Sequence, residues 1–254
     1  MQLKILGCSG GIAESLRTTT MLLNDEVLID AGTGVGDLSL ANMSLVRHIF
    51  LTHSHMDHIA SIPLLLDSVF DLSESPVVIH GLAETIQAMK QHVFNNVIWP
   101  DFSTLPSPRN PVMRYEVMAP GDIFAHEDYT IEMIPVNHIV PGVGYRVQTL
   151  EKAFAFSGDT TTNDRFWATL NQRERLDLLI VEAAFPDQDI DICRRAGHYC
   201  PRLLAEDLAK LEHRPEIYIT HPKPGAEQII FEQCQKHINH HRINLLSADC
   251  QFTL

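Results

Sequence analysis

Paired thiols are missing from this sequence, and so is any concentration of cationic side chains. The five cysteines (Cys8, Cys193, Cys200, Cys234 and Cys250) stand at irregular spacings with no CxxC pair. That pattern argues against a disulfide framework and against a thiolate zinc site. Nineteen Lys and Arg face 32 Asp and Glu, a formal charge of −13, so the surface on average repels polyanions and a nucleic-acid partner is disfavoured. No apolar run approaches the ~18 residues that suggest a membrane span. The opening MQLKILGCSGG lacks the charged leader and apolar stretch of a signal peptide. A soluble, unprocessed chain with reduced thiols in a cytoplasm is therefore expected, with no membrane partner. No linker composition and no fixed-period repeat divides it. Residues 1–254 read as a single domain, and 45% hydrophobic residues are ample for a buried core.

What the chain does have is an alternation of short apolar segments and turns. Strands are expected at Leu3 to Leu6, Met21 to Leu23, Val27 to Ile29 and Val46 to Leu51, with Asn24-Asp25 as a hairpin turn. Apolar residues then recur at helical density from Ile59 to Phe70. Val77 to Ile79 reads as a strand and Leu82 to Phe94 as a helix, followed by an irregular stretch from Asn95 to Pro111, a candidate lid. Strands return at Arg114 to Val117, Tyr129 to Ile134, Gly144 to Val147 and Ala153 to Phe156. From Arg165 the pattern becomes helix, strand (Leu178 to Val181), helix (Pro201 to Leu211), strand (Glu216 to Ile219), helix (Ala226 to His237). Strands and helices mixed in both halves suggest an α+β, four-layer αββα sandwich.

The chemistry concentrates in Thr52-His53-Ser54-His55-Met56-Asp57-His58, placed on a strand-to-helix loop. Histidine and carboxylate ligands suit zinc or a similar dication. On an extended segment His53 and His55 project to one side, and a turn at Asp57 and His58 can face a second ion. Most remaining histidines (His48, His80, His92, His126, His213) read as surface or hydrogen-bonded core residues. The Cys8-Ser9-Gly10-Gly11 turn either borders the site, admitting a phosphate close to its backbone, or merely ends a strand.

This H-x-H-x-D-H run resembles the signature of the metallo-β-lactamase superfamily. The resemblance extends to Asp30 in Leu28-Ile29-Asp30-Ala31-Gly32, to His138 at a strand end, to Asp159 in Ser157-Gly158-Asp159-Thr160, and to His221 in Ile219-Thr220-His221-Pro222. It implies two divalent ions, zinc first with manganese or iron as alternatives. His53, His55, His138 and Asp159 would hold one, and Asp57, His58, Asp159 and His221 the other. Asp30 would buttress the histidine loop. The Cys that some β-lactamases use as a ligand is absent, which points to the phosphodiesterase side of the superfamily. Glu182 in Val181-Glu182-Ala183-Ala184-Phe185 and His198 in Gly197-His198-Tyr199 are similar to a pair found in ribonuclease Z and class II cyclic-nucleotide phosphodiesterases. The stretch Asn95 to Phe102, with Ile98-Trp99-Pro100-Asp101, resembles the class II enzymes alone.

The expectation is thus a dinuclear phosphodiesterase acting on a small phosphodiester, a 3′,5′-cyclic nucleotide foremost. Its two metals would bridge a water and lower its pKa towards ~7. Asp57, Glu182 and His198 are the expected catalytic groups: His198 protonates the departing sugar oxygen, Glu182 orients it, and Asp57 aligns the water. Trp99 and Phe102 are candidate base-stacking residues, with packing as the plainer alternative. Lys223 reads as a solvated loop lysine, with a phosphate contact as the other option. Two rival functions stay open, a ribonuclease Z-like processing of tRNA 3′ ends and a non-enzymatic nucleotide or metal sensor. A homodimer is expected by analogy with relatives.

Overall fold

The computed structural model of the protein describes residues 1–73 and 75–254. In the first half, strands β1 (Gln2–Gly7), β2 (Thr20–Leu23), β3 (Val27–Ala31), β4 (His48–Phe50) and β5 (Val77–Gly81) precede a two-residue hairpin, β6 (Pro106–Ser107) and β7 (Asn110–Pro111). Then come β8 (Met113–Val117), β9 (Ile123–Ala125), β10 (Thr130–Pro135), β11 (Val143–Gln148) and β12 (Ala153–Phe156). The last are β13 (Leu178–Glu182), β14 (Glu216–Thr220), β15 (Ile243–Leu245) and β16 (Gln251–Thr253). Helices are α1 (Leu40–Met43), α2 (Met56–Ile59), α3 (Ile62–Ser68), α4 (Ala83–His92), α5 (Arg165–Asn171), α6 (Ile190–Ala196), α7 (Pro201–Leu208) and α8 (Glu227–His237). None is long and apolar enough to cross a membrane.

Two seven-stranded sheets form, in the orders β16-β1-β2-β3-β4-β5-β8 and β15-β14-β13-β12-β11-β10-β9. Each is antiparallel at one end and parallel at the other. Strands β3, β4, β5 and β8 run parallel in the first, and β12 to β15 in the second. The three-residue β2–β3 link turns at Asn24 and Asp25, both at positive φ, 47° and 64°, and Glu26 N–H closes the turn on Leu23 O at 3.0 Å, a backbone that suits the twist of the flanking strands.

Three separate cores show four layers. Leu3, Ile5, Met21 and Ile29 of the first sheet meet Ile131, Tyr145, Phe154 and Phe156 of the second. Outside the first sheet, Leu28, Ile49, Val77 and Ile79 pack on Ile62, Leu65 and Leu66 of α3 and on Ile86 and Met89 of α4. Outside the second, Leu179, Val181, Ile217 and Ile219 pack on Trp167, Leu204, Leu208 and Ile230 of α5, α7 and α8. Strands buried on both faces explain the near-continuous apolar runs of β2, β3, β12 and β13. The αββα expectation holds.

The expected helix over Ile59 to Phe70 is two helices, α2 and α3. The first begins inside the histidine motif, so Asp57 and His58 lie on a helical turn, whereas His53 and His55 sit in the loop ahead of it. The stretch after α4 is fastened as a compact turn. Asn95 Oδ1 accepts the N–H groups of Val97 and Ile98 (2.9 and 2.8 Å), and Asn96, at φ 62°, accepts the Asp101 N–H at Oδ1.

Candidate dinuclear metal centre

Parallel strands from both sheets deliver most of the site residues from their C-terminal ends, while His138 follows the antiparallel β10 and His198 follows α6. Asp30 lies in β3, His53 three residues past β4, Asp159 three past β12, Glu182 at the last position of β13 and His221 directly after β14. Ligands in open α/β sheets gather at such carboxyl ends.

Buried Asp30 organises the histidine loop. Its Oδ1 accepts the Thr52 N–H at 2.8 Å, and its Oδ2 accepts the Thr52 hydroxyl at 2.8 Å and His58 Nδ1–H at 2.7 Å. With its proton given to Asp30, the Thr52 oxygen accepts His53 Nδ1–H at 3.0 Å. Both histidines thereby have Nδ1 committed to a protein partner, which turns Nε2, the atom a metal takes up, towards the other ligand candidates. His138 Nδ1 donates to Gly197 O at 2.8 Å, which leaves its Nε2 3.2 Å from His55 Nδ1. His221 Nδ1 lies 3.3 Å from the Thr19 hydroxyl, and its backbone N–H donates to Cys8 O.

These free atoms converge on Asp159. Its Oδ2 lies 3.3 Å from Nε2 of His58 and of His221 and 3.7 Å from Nε2 of His53. Asp57 Oδ2 is 3.7 Å from His221 Nε2 and 3.9 Å from His58 Nε2. Donors held ~2.1 Å from one tetrahedral ion sit about 3.4 Å apart, so the spacing fits ligation. Two donor sets result, His53, His55, His138 and Asp159, and Asp57, His58, Asp159 and His221, each with its atoms within 4.8 Å of one another. His53 Nε2, His58 Nε2, His221 Nε2 and Asp159 Oδ1 are buried without any hydrogen-bond partner. Orphans of that kind are costly unless something else is bound, and divalent ions satisfy all four.

Protonation agrees. Burial holds His53 well below the usual imidazole range, His138 at about 4 and His221 at about 3, the neutral form that ligation needs. Burial by itself would raise Asp159, yet attraction to the imidazoles gathered round it, the hydrogen-bonding His58 among them, outweighs burial and holds the carboxylate well below its usual range. His58 is the opposite case, where Asp159 and Asp30 overcome burial and push it well up.

A second pair adjoins. Glu182 Oε1 accepts His198 Nδ1–H at 2.8 Å and the Thr160 N–H at 3.0 Å, while Oε2 accepts the Tyr199 N–H at 3.3 Å. His198 Nδ1 is 4.0 Å from Asp159 Oδ2, and its ring stacks on that of His221 at 5.4 Å. Among the described residues no protein hydrogen bond reaches its Nε2.

The two aromatic candidates both pack in the core outside the first sheet. Phe102 is 3% exposed within the first helical core, against Phe70 and Phe94, so no ring face is open to a base. Trp99 packs half-buried on the same core. Sequence reasoning missed Thr52, which relays the Asp30 contact, and Thr19; a hydroxyl residue next to the motif was the available signal. A cavity of about 730 Å³ lined by Met1, Tyr129 and Leu150 contains no residue of either donor set.

The chain belongs to the beta-lactamase superfamily domain family, whose model matches residues 25–221. The fold is that of its metallo-β-lactamase members. The chain is 25% identical to a probable 3′,5′-cyclic-nucleotide phosphodiesterase of Yersinia pestis, over 88% of this chain and 78% of that one. It is 28% identical to a ribonuclease Z of Acaryochloris marina over 63% of this chain, and spans about half (51%) of that protein. The crystal structure of an unliganded yeast PDE1 superposes with a TM-score of 0.83 at 17% identity, covering 100% of this chain and 99% of that one.

Proposed function

We propose that this metal-dependent hydrolase cleaves small phosphodiesters, 3′,5′-cyclic nucleotides foremost, on two divalent ions, zinc by preference, in a reducing cytoplasm. The observation that carries the reading is Asp159, shared by two donor sets and flanked by the Glu182–His198 pair. The phosphodiesterases named among its relatives supply the substrate class. The five free cysteines fit the compartment.

When bound, the ions would supply a Lewis-acid clamp on the phosphoryl oxygens and a water of lowered pKa. The protein does the rest. The buried carboxylate of Asp159 sets the spacing of the two donor sets, and Asp30 and Gly197 fix the imidazole tautomers. Asp57 is 27% exposed at its side chain where Asp159 is 2% exposed, so it reaches the solvent side and orients the attacking water. A 3′,5′-cyclic ester opens by expelling a sugar alkoxide, a poor leaving group without a proton. His198 Nε2 delivers that proton, and Glu182 holds the ring by Nδ1; such an acid is worth about 10²- to 10⁴-fold.

The test is metal analysis joined to product assays on cyclic AMP, cyclic GMP, a nitrophenyl diester and precursor tRNA. Expected are two ions per chain, opening of the cyclic nucleotides, and a kcat/KM that changes little with salt. Turnover of precursor tRNA alone, with the steep salt dependence of many phosphate contacts, would move the protein to the ribonuclease Z reading. Tight nucleotide binding with no turnover would make it a sensor.

A further inference from the structure

The loop after the ligand His221 carries a cation that the metal site does not use. Lys223 is anchored at both ends: its backbone N–H donates to Ala184 O at 3.0 Å, and its Nζ donates to Gly10 O at 2.8 Å. The ammonium lies 5.8 Å from the centre of the Phe185 ring, which is itself 5.7 Å from the ring of His198. Gly10, the residue it grips, crowds the second donor set. A Cβ there would come 2.6 Å from His221 O and 3.2 Å from His221 Nε2, the atom turned to Asp159. The charge is thus held beside the second donor set, on the side from which His198 acts.

An ammonium has three donors, and Gly10 O takes one. Among the described residues Lys4, Arg17, Arg173, Arg175 and Lys210 pair with a carboxylate; what sets Lys223 apart from the other unpaired cations is its place beside the second donor set. Among the described residues Lys223 has no carboxylate within 4.0 Å, in a chain where acidic groups outnumber basic ones 32 to 19. A half-buried cation left unpaired in so acidic a protein, beside a centre suited to phosphoryl oxygens, is arranged for an anion that arrives from outside.

We infer that Lys223 is a substrate-binding residue whose ammonium takes a phosphate oxygen of the diester not held by the ions, an inference that rests on the phosphodiesterase reading above. It binds charge and leaves proton delivery to His198, so it governs KM.

The decisive variant is Lys223→Gln, which keeps a donor for Gly10 O and removes the charge; Lys223→Arg restores the charge. With two ions bound and the melting temperature unchanged, Lys223→Gln should raise KM for a nitrophenyl diester about 10- to 100-fold, the range of a charge-assisted hydrogen bond. Its kcat should stay within about threefold, since proton delivery is untouched. Lys223→Arg should recover most of the loss. Calorimetry of inorganic phosphate binding to the metal-loaded protein should show a matching loss of affinity. That readout decides about Lys223 even if no diester is turned over, an outcome that would sink the phosphodiesterase reading by itself. Wild-type phosphate affinity in metal-loaded Lys223→Gln would overturn the inference and leave Lys223 as a staple for the Gly10 turn.

Discussion

At the residue scale, the site is governed by which partner each imidazole is given. His198 has Glu182 on Nδ1, and the pair shares a proton in a pocket where the carboxylate is fully buried. Burial alone would depress His198, but the charge and hydrogen bond of Glu182, joined by Asp159, outweigh it, so the imidazolium survives to higher pH than a free one. A general acid works below its pKa, so activity is lost as pH rises through that raised value. In Glu182→Gln the charge is gone while one acceptor oxygen stays. The alkaline limb of the kcat profile should therefore move to lower pH, with kcat down about 10- to 100-fold, as when a buried orienting partner is lost. An unmoved limb would show that His198 is not the titrating acid. The residues that converge in the two donor sets were open to reading from the sequence because each closes a strand or a short motif. Phe102 was not: an aromatic in an irregular stretch can stack on a ligand or fill a core, and only its packing against Phe70 and Phe94 decides it.

At the scale of elements, the site depends on how strands stop. Between β12 and Asp159 the chain turns at Gly158 with φ +58°, where a Cβ would lie 2.6 Å from Val143 O and 3.1 Å from the Thr52 side chain. Gly158→Ala carries both a left-handed backbone and a clash between the strand ends that hold Asp159 and the histidine loop. The cost is about 1–3 kcal/mol, or about 2 to 12 °C in melting temperature for a chain of this size, together with fewer than two ions bound per chain. Gly36→Ala, where a Cβ would meet nothing within 4 Å, should change stability by less than about 0.5 kcal/mol. Calorimetry and metal analysis of the two variants settle the point. Elements were legible where burial is uniform. The central strands β3, β5 and β12 to β14 carry continuous apolar runs, and their expected bounds fall within a residue or two. The missed strands β9, β15 and β16 are three residues long, each at a sheet edge, too short for an alternation to stand out. Helix α6 was missed because only Cys193 in it is buried. The break between α2 and α3 escaped notice because Ile59, Ile62, Leu65 and Leu66 all face one core, so apolar periodicity continues across it.

At the scale of the molecule, the two sheets share one core yet each brings a different half of the ligand set. His53, His55, Asp57 and His58 come from the first, and His138, Asp159 and His221 from the second. Ions held by both halves would tie the layers together, and anything that binds the folded chain alone stabilises it by mass action. At a free metal concentration 100 times the Kd this is about 2.7 kcal/mol per site, or about 5 to 11 °C per ion at 2–4 °C per kcal/mol. The metal-free protein should also weaken in acid. Burial holds His138 at about 4 and His221 at about 3, against 6.5 for the free group. The unfolded chain therefore takes up protons first, and stability falls as pH drops below about 6.5. Scanning calorimetry of chelated and zinc-restored protein from pH 8 to pH 5 should thus show a gap of at least about 5 °C at neutral pH. The chelated form should melt progressively lower as the solution is acidified below about pH 6.5. Coincident melting curves with and without zinc would mean that the two donor sets do not hold ions across the sheets.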